Sequence, residues 1–150
     1  MLSPGDQAPS FALADQHGNT VDLASFQGRK VLVFFYPRAD TPGCTTQACG
    51  LRDVADRVGT TAIVGISTDP PAKQLKWATK HGLGYPLLAD VDHAVAEAYG
   101  VWVEKTMYGK KSMGTLRSAF LIDEQGCIAH AWYRISPADT PTNLLAALQA

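Results

Sequence analysis

Among 150 residues only three are cysteines: Cys44 and Cys49 stand five positions apart, and Cys127 lies far along the chain. A thiolate is both a nucleophile and a metal ligand, so a close pair of cysteines suggests metal binding or attack followed by disulfide closure. Zinc sites take Cys pairs about two to four residues apart together with a second Cys or His pair. Here the second pair is missing, and His17, His81, His93 and His130 are scattered along the chain. Three cysteines are also too few for a disulfide framework. The pattern argues against a metal site.

Two apolar runs flank Cys44. Val31-Leu32-Val33-Phe34-Phe35-Tyr36 is unbroken and reads as a strand buried on both faces, ended by Pro37, which has no N–H to donate. Ala62 to Ser67 reads the same way. Between them, Thr41-Pro42 has the form of a helix N-cap followed by proline at the first helical position. Ala48, Leu51, Val54, Ala55 and Val58 follow at helical spacing, and Gly59 suits the stop. Strand, helix, strand predicts a βαβ unit with parallel strands. Further helices are predicted over Pro71–His81, Asp92–Tyr99 and Thr142–Leu148, and strands over Ser118–Ile122 and Cys127–Trp132 around the turn Asp123-Glu124-Gln125-Gly126. The expected class is α/β: one domain over residues 1–150, with a mixed central sheet flanked by helices.

Cys44 then lies in the loop leaving a central strand, at about the third position of a helix, beside N–H groups that have no helical partner. A free thiol titrating near 8.5 is only a few per cent ionised at neutral pH. Moving its midpoint to about 6 takes roughly 3.4 kcal/mol. A helix start contributes about 0.3–1 kcal/mol, at most ~2. An arginine at ~4 Å contributes about 4 kcal/mol at an effective dielectric near 20. A cation is therefore needed. Six arginines are available: Arg29, Arg38, Arg52, Arg57, Arg117 and Arg134. Arg52 and Arg57 are expected to face water, Arg38 sits on a loop, and Arg117 opens the strand Ser118–Ile122. Spacing does not choose among them.

The run Tyr36-Pro37-Arg38-Ala39-Asp40-Thr41-Pro42-Gly43-Cys44-Thr45-Thr46-Gln47-Ala48-Cys49 resembles the active-site segment of peroxiredoxins, in particular the bacterioferritin comigratory protein or PrxQ subgroup. Pro37, Thr41 and Cys44 meet the family pattern at each spacing, and the second cysteine five residues on marks the subgroup. The similarity continues through Gly65-Ile66-Ser67-Thr68-Asp69, Gly100-Val101-Trp102 and Arg117 to Asp123. It implies a thioredoxin-like fold with Cys44 as peroxidatic cysteine. It also implies that Thr41 binds peroxide and thiolate, Pro37 shields the site from water, and Arg117 stabilises the thiolate and the polarised O–O bond. Cys49 would resolve the sulfenic acid to a disulfide, which a thioredoxin-type dithiol reduces. Substrates would be hydrogen peroxide and alkyl hydroperoxides, and no cofactor or metal is implied.

Geometry adds a constraint. Five helical residues rise about 7.5 Å and rotate by about 140°, beyond the ~7 Å Cα separation a disulfide spans. Cys44 and Cys49 cannot bond while a helix between them is intact, and Gly50 would ease its unwinding.

The remaining features are read plainly. Cys127 is a bystander, Trp77, Trp102 and Trp132 are packing residues, the histidines are structural or exposed, and Lys105 to Lys111 is a solvated loop. Net charge is −1, with no basic block beyond Lys105, Lys110 and Lys111, so neither nucleic acid nor membrane is expected as partner. The N-terminal residues lack the basic and apolar regions of a signal peptide, and a reducing, cytoplasmic setting is expected. An intramolecular disulfide needs no second subunit, so a monomer is expected. Other classes compatible with a cysteine pair are a thioredoxin-like disulfide oxidoreductase, which lacks its C-x-x-C here, a copper or zinc carrier, and a peroxide sensor.

Overall fold

Along residues 1–149, which the computed structural model describes, the chain opens with an antiparallel hairpin of β1 (Ala12–Ala14) and β2 (Thr20–Asp22) and a 3-10 helix over Leu23–Phe26. There follow β3 (Val31–Phe35), α1 (Pro42–Asp53), β4 (Ala62–Ser67), α2 (Pro71–His81), β5 (Leu87–Ala89) and α3 (Ala94–Ala98). A second hairpin, β6 (Trp102–Met107) and β7 (Lys110–Thr115), leads into β8 (Ser118–Ile122), β9 (Ile128–Trp132) and α4 (Asp139–Gln149).

The central sheet has the order β5-β4-β3-β8-β9. β3, β4 and β5 are mutually parallel, as the βαβ pattern predicts, while β8 runs antiparallel to both of its neighbours, β3 and β9. All five residues of β3 are buried. Strand alternation sends Leu32, Phe34 and Tyr36, with Ala119 and Leu121 of β8, to one face. Cys44, Ala48 and Leu51 of α1, Trp77 of α2 and Leu144 of α4 cover that face. Val31, Val33, Phe35, Phe120 and Ile122 point to the other, covered by Phe11, Phe26, and Val95 and Ala96 of α3.

Several elements differ from the sequence expectation. α1 ends at Asp53; the apolar spacing to Val58 continues through a 3-10 turn over Ala55–Arg57, which keeps Val58 buried, and Gly59 turns the chain at φ +63°. α4 begins at Asp139, ahead of Thr142, because Pro141 falls in its first turn, where a missing N–H costs nothing. Lys105–Lys111 is not a loop but the end of the β6–β7 hairpin. Its two-residue turn, Tyr108-Gly109, has φ of 53° and 77°. Most of β7 is exposed, so the hairpin carries no alternating apolar signal. No helix among the described residues is long and apolar enough to cross a membrane.

The sheet is packed tightly where it approaches Tyr36. A methyl added at Gly65 would lie 2.8 Å from Phe34 Cζ, 3.0 Å from Leu87 Cδ2 and 3.0 Å from Tyr36 Cε1. Gly65→Ala should destabilise the fold by about 1–3 kcal/mol through overpacking. The denaturation midpoint measures this, and an unchanged midpoint would contradict the packing described.

Candidate active site

The site begins where β3 ends. Tyr36 donates its N–H to the Ile66 carbonyl (3.2 Å) and its hydroxyl to Gln74 Oε1, and half-buried Pro37 follows with no N–H to extend the ladder. The loop is fixed from below. The Ala39 N–H donates to Asp69 Oδ2 (2.6 Å), and that buried carboxylate also accepts from Ser67 Oγ (2.8 Å) and pairs with Lys73 Nζ at 3.1 Å. Thr41 occupies the N-cap position with extended backbone (φ −113°, ψ 155°), and Pro42 is the first helical residue, as expected. Its side chain, however, does not cap the helix. The hydroxyl donates to the Arg38 carbonyl at 2.7 Å, across a turn that passes through Asp40 at φ +62°.

Cys44 is the third residue of α1 and is 1% exposed. Burial opposes an anion, so a thiolate here depends on the helix start and on a cation. That cation is Arg117. Because β8 runs antiparallel to β3, with Ser118 opposite Phe35, the start of β8 lies beside the end of β3. Residues 117, 119 and 121 share one face by alternation, and Ala119 and Leu121 lie on the α1 side. Arg117 Nη2 stands 3.4 Å from Cys44 Sγ. Its Nη1 donates to Gln47 Oε1 (2.8 Å), and Gln47 Nε2 donates to Thr140 Oγ1 of α4 (3.0 Å). No carboxylate lies within 4 Å of the guanidinium among the described residues, so its Nη2 is left to the Cys44 sulfur. Gly43 leaves the room: a methyl there would come within 3.1 Å of Arg117 Nη2.

Cys49 is half-buried on the same helix, and all three cysteines are free thiols. Its surroundings are Tyr85 and Arg52. Tyr85 donates to the Ala48 carbonyl at 2.7 Å; burial pushes its hydroxyl well above the usual tyrosine range, with Cys49 adding to the effect and Arg52 opposing it. Arg52, expected to face water, is only half free. Its Nη1 donates to the His81 carbonyl (2.6 Å) and its Nη2 pairs with Asp53 at 2.8 Å, which ties the end of α1 to α2. Trp77 adds to its packing role a hydrogen bond from Nε1 to Thr45 Oγ1 (3.1 Å).

Cys127 is remote. It precedes β9, whose Ile128 pairs with Ile122 and so lies beside Val31, at the opposite end of β3 from Cys44. Five strand residues separate those ends by roughly 16 Å. Cys44, Thr41, Pro37 and Arg117 are thus brought to one end of the sheet, with Cys49 beyond the first turn and a half of the helix. Sequence reasoning missed Gln47, Gly43 and Asp69. A polar residue three positions after Cys44 was the available sign of Gln47, since i and i+3 share a helix face.

Residues 4–131 match the AhpC/TSA family. The chain belongs to that family. It is 51% identical over 133 residues to peroxiredoxin Bcp of Escherichia coli (strain K12), covering 87% of this chain and 85% of that one. The structure of peroxidoxin BcpB from Mycobacterium tuberculosis superposes with a TM-score of 0.87 at 36% identity, over 99% of this chain and 97% of that one. The structure of bacterioferritin comigratory protein from Xanthomonas campestris, described for its alkyl peroxide reduction activity, gives a TM-score of 0.87 at 31% identity, over 93% and 90%. This peroxiredoxin has the thioredoxin-like fold of that group, and its activity class is thiol peroxidase.

Gln47→Leu would remove the acceptor that holds Arg117 while keeping a side chain of similar volume. A hydrogen bond to a charged group contributes about 1.5–3 kcal/mol, so iodoacetamide should alkylate Cys44 about tenfold more slowly at neutral pH. Equal alkylation rates in the variant and the wild type would show that Gln47 does not position the guanidinium.

Proposed function

We propose that Cys44 is the peroxidatic cysteine and Cys49 the resolving one, in a single catalytic domain formed by residues 1–150. The observation that carries this reading is the 3.4 Å contact between Arg117 Nη2 and Cys44 Sγ. The thiolate attacks the distal peroxide oxygen, the O–O bond breaks, and the leaving oxygen departs as water or an alcohol after taking a proton. Cys44 is left as a sulfenic acid. Arg117 faces both the sulfur and the oxygen where charge develops, and its charge is not spent on a carboxylate. Thr41, one turn before Cys44, would turn its hydroxyl from Arg38 to the peroxide, and Pro37 would keep water from the loop. The Cys49 thiol then displaces water from the sulfenic acid to form the Cys44–Cys49 disulfide. Hydrogen peroxide and small alkyl hydroperoxides are the substrates, a thioredoxin-type dithiol restores the pair, and the enzyme works as a cytoplasmic monomer without a cofactor.

Resolution requires α1 to open, since both cysteines lie within its unbroken span Pro42–Asp53. What must let go is identifiable: Tyr85 from Ala48, Gln47 from Thr140, and Trp77 from Thr45. Gly50 has no side chain there, and Pro141 Cγ would stand 3.1 Å from a methyl at that position. That closeness adds a packing reason for glycine to its ease of unwinding.

Stopped-flow oxidation by hydrogen peroxide tests the assignment. Cys44→Ser should abolish the reaction, and Arg117→Ala should slow it at least about 100-fold, the loss of roughly 2.7 kcal/mol. Cys49→Ser should stop at a sulfenic acid that dimedone traps. A Cys44–Cys127 bridge on peptide mapping would overturn the pairing. Amide exchange across Thr41–Arg52 should be faster in the disulfide form than in the dithiol form; identical protection in the two forms would refute the opening of α1.

A further inference from the structure

We propose that Asp69 is a positioning residue for the peroxide reaction: through the Arg38–Ala39 peptide it fixes where the Thr41 hydroxyl rests. The inference rests on the peroxidase reading of Cys44 and on Thr41 as the residue that meets the peroxide.

Asp69 lies just past the end of β4, the parallel neighbour of β3. It is 7% exposed, and a carboxylate so placed needs partners for both of its oxygens. Oδ1 faces Lys73 Nζ at 3.1 Å. Oδ2 accepts from Ser67 Oγ at 2.8 Å and from the Ala39 N–H at 2.6 Å. The Asp69 N–H in turn donates to Ser67 Oγ at 3.2 Å, which closes a tight turn around that hydroxyl. Lys73 belongs to α2 and Ser67 to β4, so two elements of the frame anchor the carboxylate and one bond carries its hold to the loop.

The Ala39 N–H and the Arg38 carbonyl belong to one planar trans peptide and point in opposite directions. Holding the N–H therefore aims the carbonyl, and Thr41 donates its hydroxyl to that carbonyl at 2.7 Å. A negative charge at the N–H end also polarises the peptide and makes its oxygen the better acceptor. The carbonyl thus keeps Thr41 in a defined place, one turn before Cys44, from which its hydroxyl can turn to an arriving peroxide. The loop has need of the hold. Asp40 passes through φ +62°, and Thr41 makes no side-chain cap to α1 that would fix it instead. Ala39 is 1% exposed, so water is poorly placed to replace Asp69 as acceptor of its N–H. The chain from Gln47 through Arg117 to the sulfur shares no bond with the chain from Asp69 to Thr41. One serves the thiolate, the other the peroxide.

The test measures two rates at Cys44 in wild type, Asp69→Ala, Asp69→Asn, Thr41→Val and the Asp69→Ala/Thr41→Val double variant. One is oxidation by hydrogen peroxide; the other is alkylation by iodoacetamide, which needs the thiolate but not Thr41. Asp69→Ala should slow oxidation about tenfold, as loss of a hydrogen bond to a charged group does, and leave alkylation at the wild-type rate. Asp69→Asn keeps an oxygen for the Ala39 N–H and should restore most of the oxidation rate. On the Thr41→Val background Asp69→Ala should slow oxidation little further, because the hydroxyl it positions is gone. Three results would each overturn the proposal: an unchanged oxidation rate in Asp69→Ala, an equal fall in its alkylation rate, or the full slowing repeated on Thr41→Val. If Asp69→Ala does not fold, Lys73→Met at its partly exposed position takes its place. Loosening the carboxylate's anchor should give the same pattern at smaller size, and oxidation at the wild-type rate would overturn the proposal. Failure of peroxide to oxidise wild-type Cys44 would instead sink the peroxidase reading, and an unchanged rate in Thr41→Val alone would sink the role of Thr41 and this proposal with it.

Discussion

A buried sulfur can hold a negative charge only if something nearby repays the loss of water, and in this chain the group placed to do so is one guanidinium. Arg117 reaches Cys44 at 3.4 Å and is oriented by a neutral amide, Gln47, instead of by a carboxylate. An acid in Gln47's place would hold the arginine more tightly and also cancel much of its charge, leaving less for the sulfur. The amide orients without neutralising. Thr140 in turn fixes the amide, so the C-terminal helix takes part in the site's electrostatics without touching the sulfur.

The sheet exists, from the site's point of view, to bring two chain ends together. The exit of β3 and the entry of β8 meet because the two strands are antiparallel neighbours, with Phe35 against Ser118. One exit leads through a loop pinned by Asp69 to the helix that carries Cys44; the other entry carries Arg117 on the face that α1 covers. Both faces of β3 are buried, so its register resists slipping, since a one-residue shift would turn every side chain to the wrong face. The rigidity of the site is inherited from that register. The helix is different. It is fastened by Tyr85, Thr140 and Trp77 at its flanks, not by a side-chain cap at its start, and such contacts can be released one after another.

Much of this was legible in the amino-acid order. The βαβ unit, the parallel strands, α2 at Pro71–His81 and the position of Cys44 in the first turn all follow from apolar period and from Pro and Gly placement. The identity of the cation was not, because six arginines are equivalent until strand pairing assigns faces, and only the family resemblance singled out Arg117. The β6–β7 hairpin was hidden by its wet surfaces, most of β7 being exposed. Thr41 shows a subtler limit. Its residue type marks the helix start correctly, yet its hydroxyl donates to the Arg38 carbonyl and makes no side-chain cap. Arg52 faces water in part, as expected, and its bond to the His81 carbonyl was not legible because that partner belongs to a different helix.

Gln47 also bears on how the enzyme meets acid. A carboxylate in that position would gain a proton as the surroundings acidify, loosening its grip on the arginine. A carboxamide has no proton to gain in that range. The hold of Gln47 on Arg117 therefore does not loosen in mildly acidic surroundings.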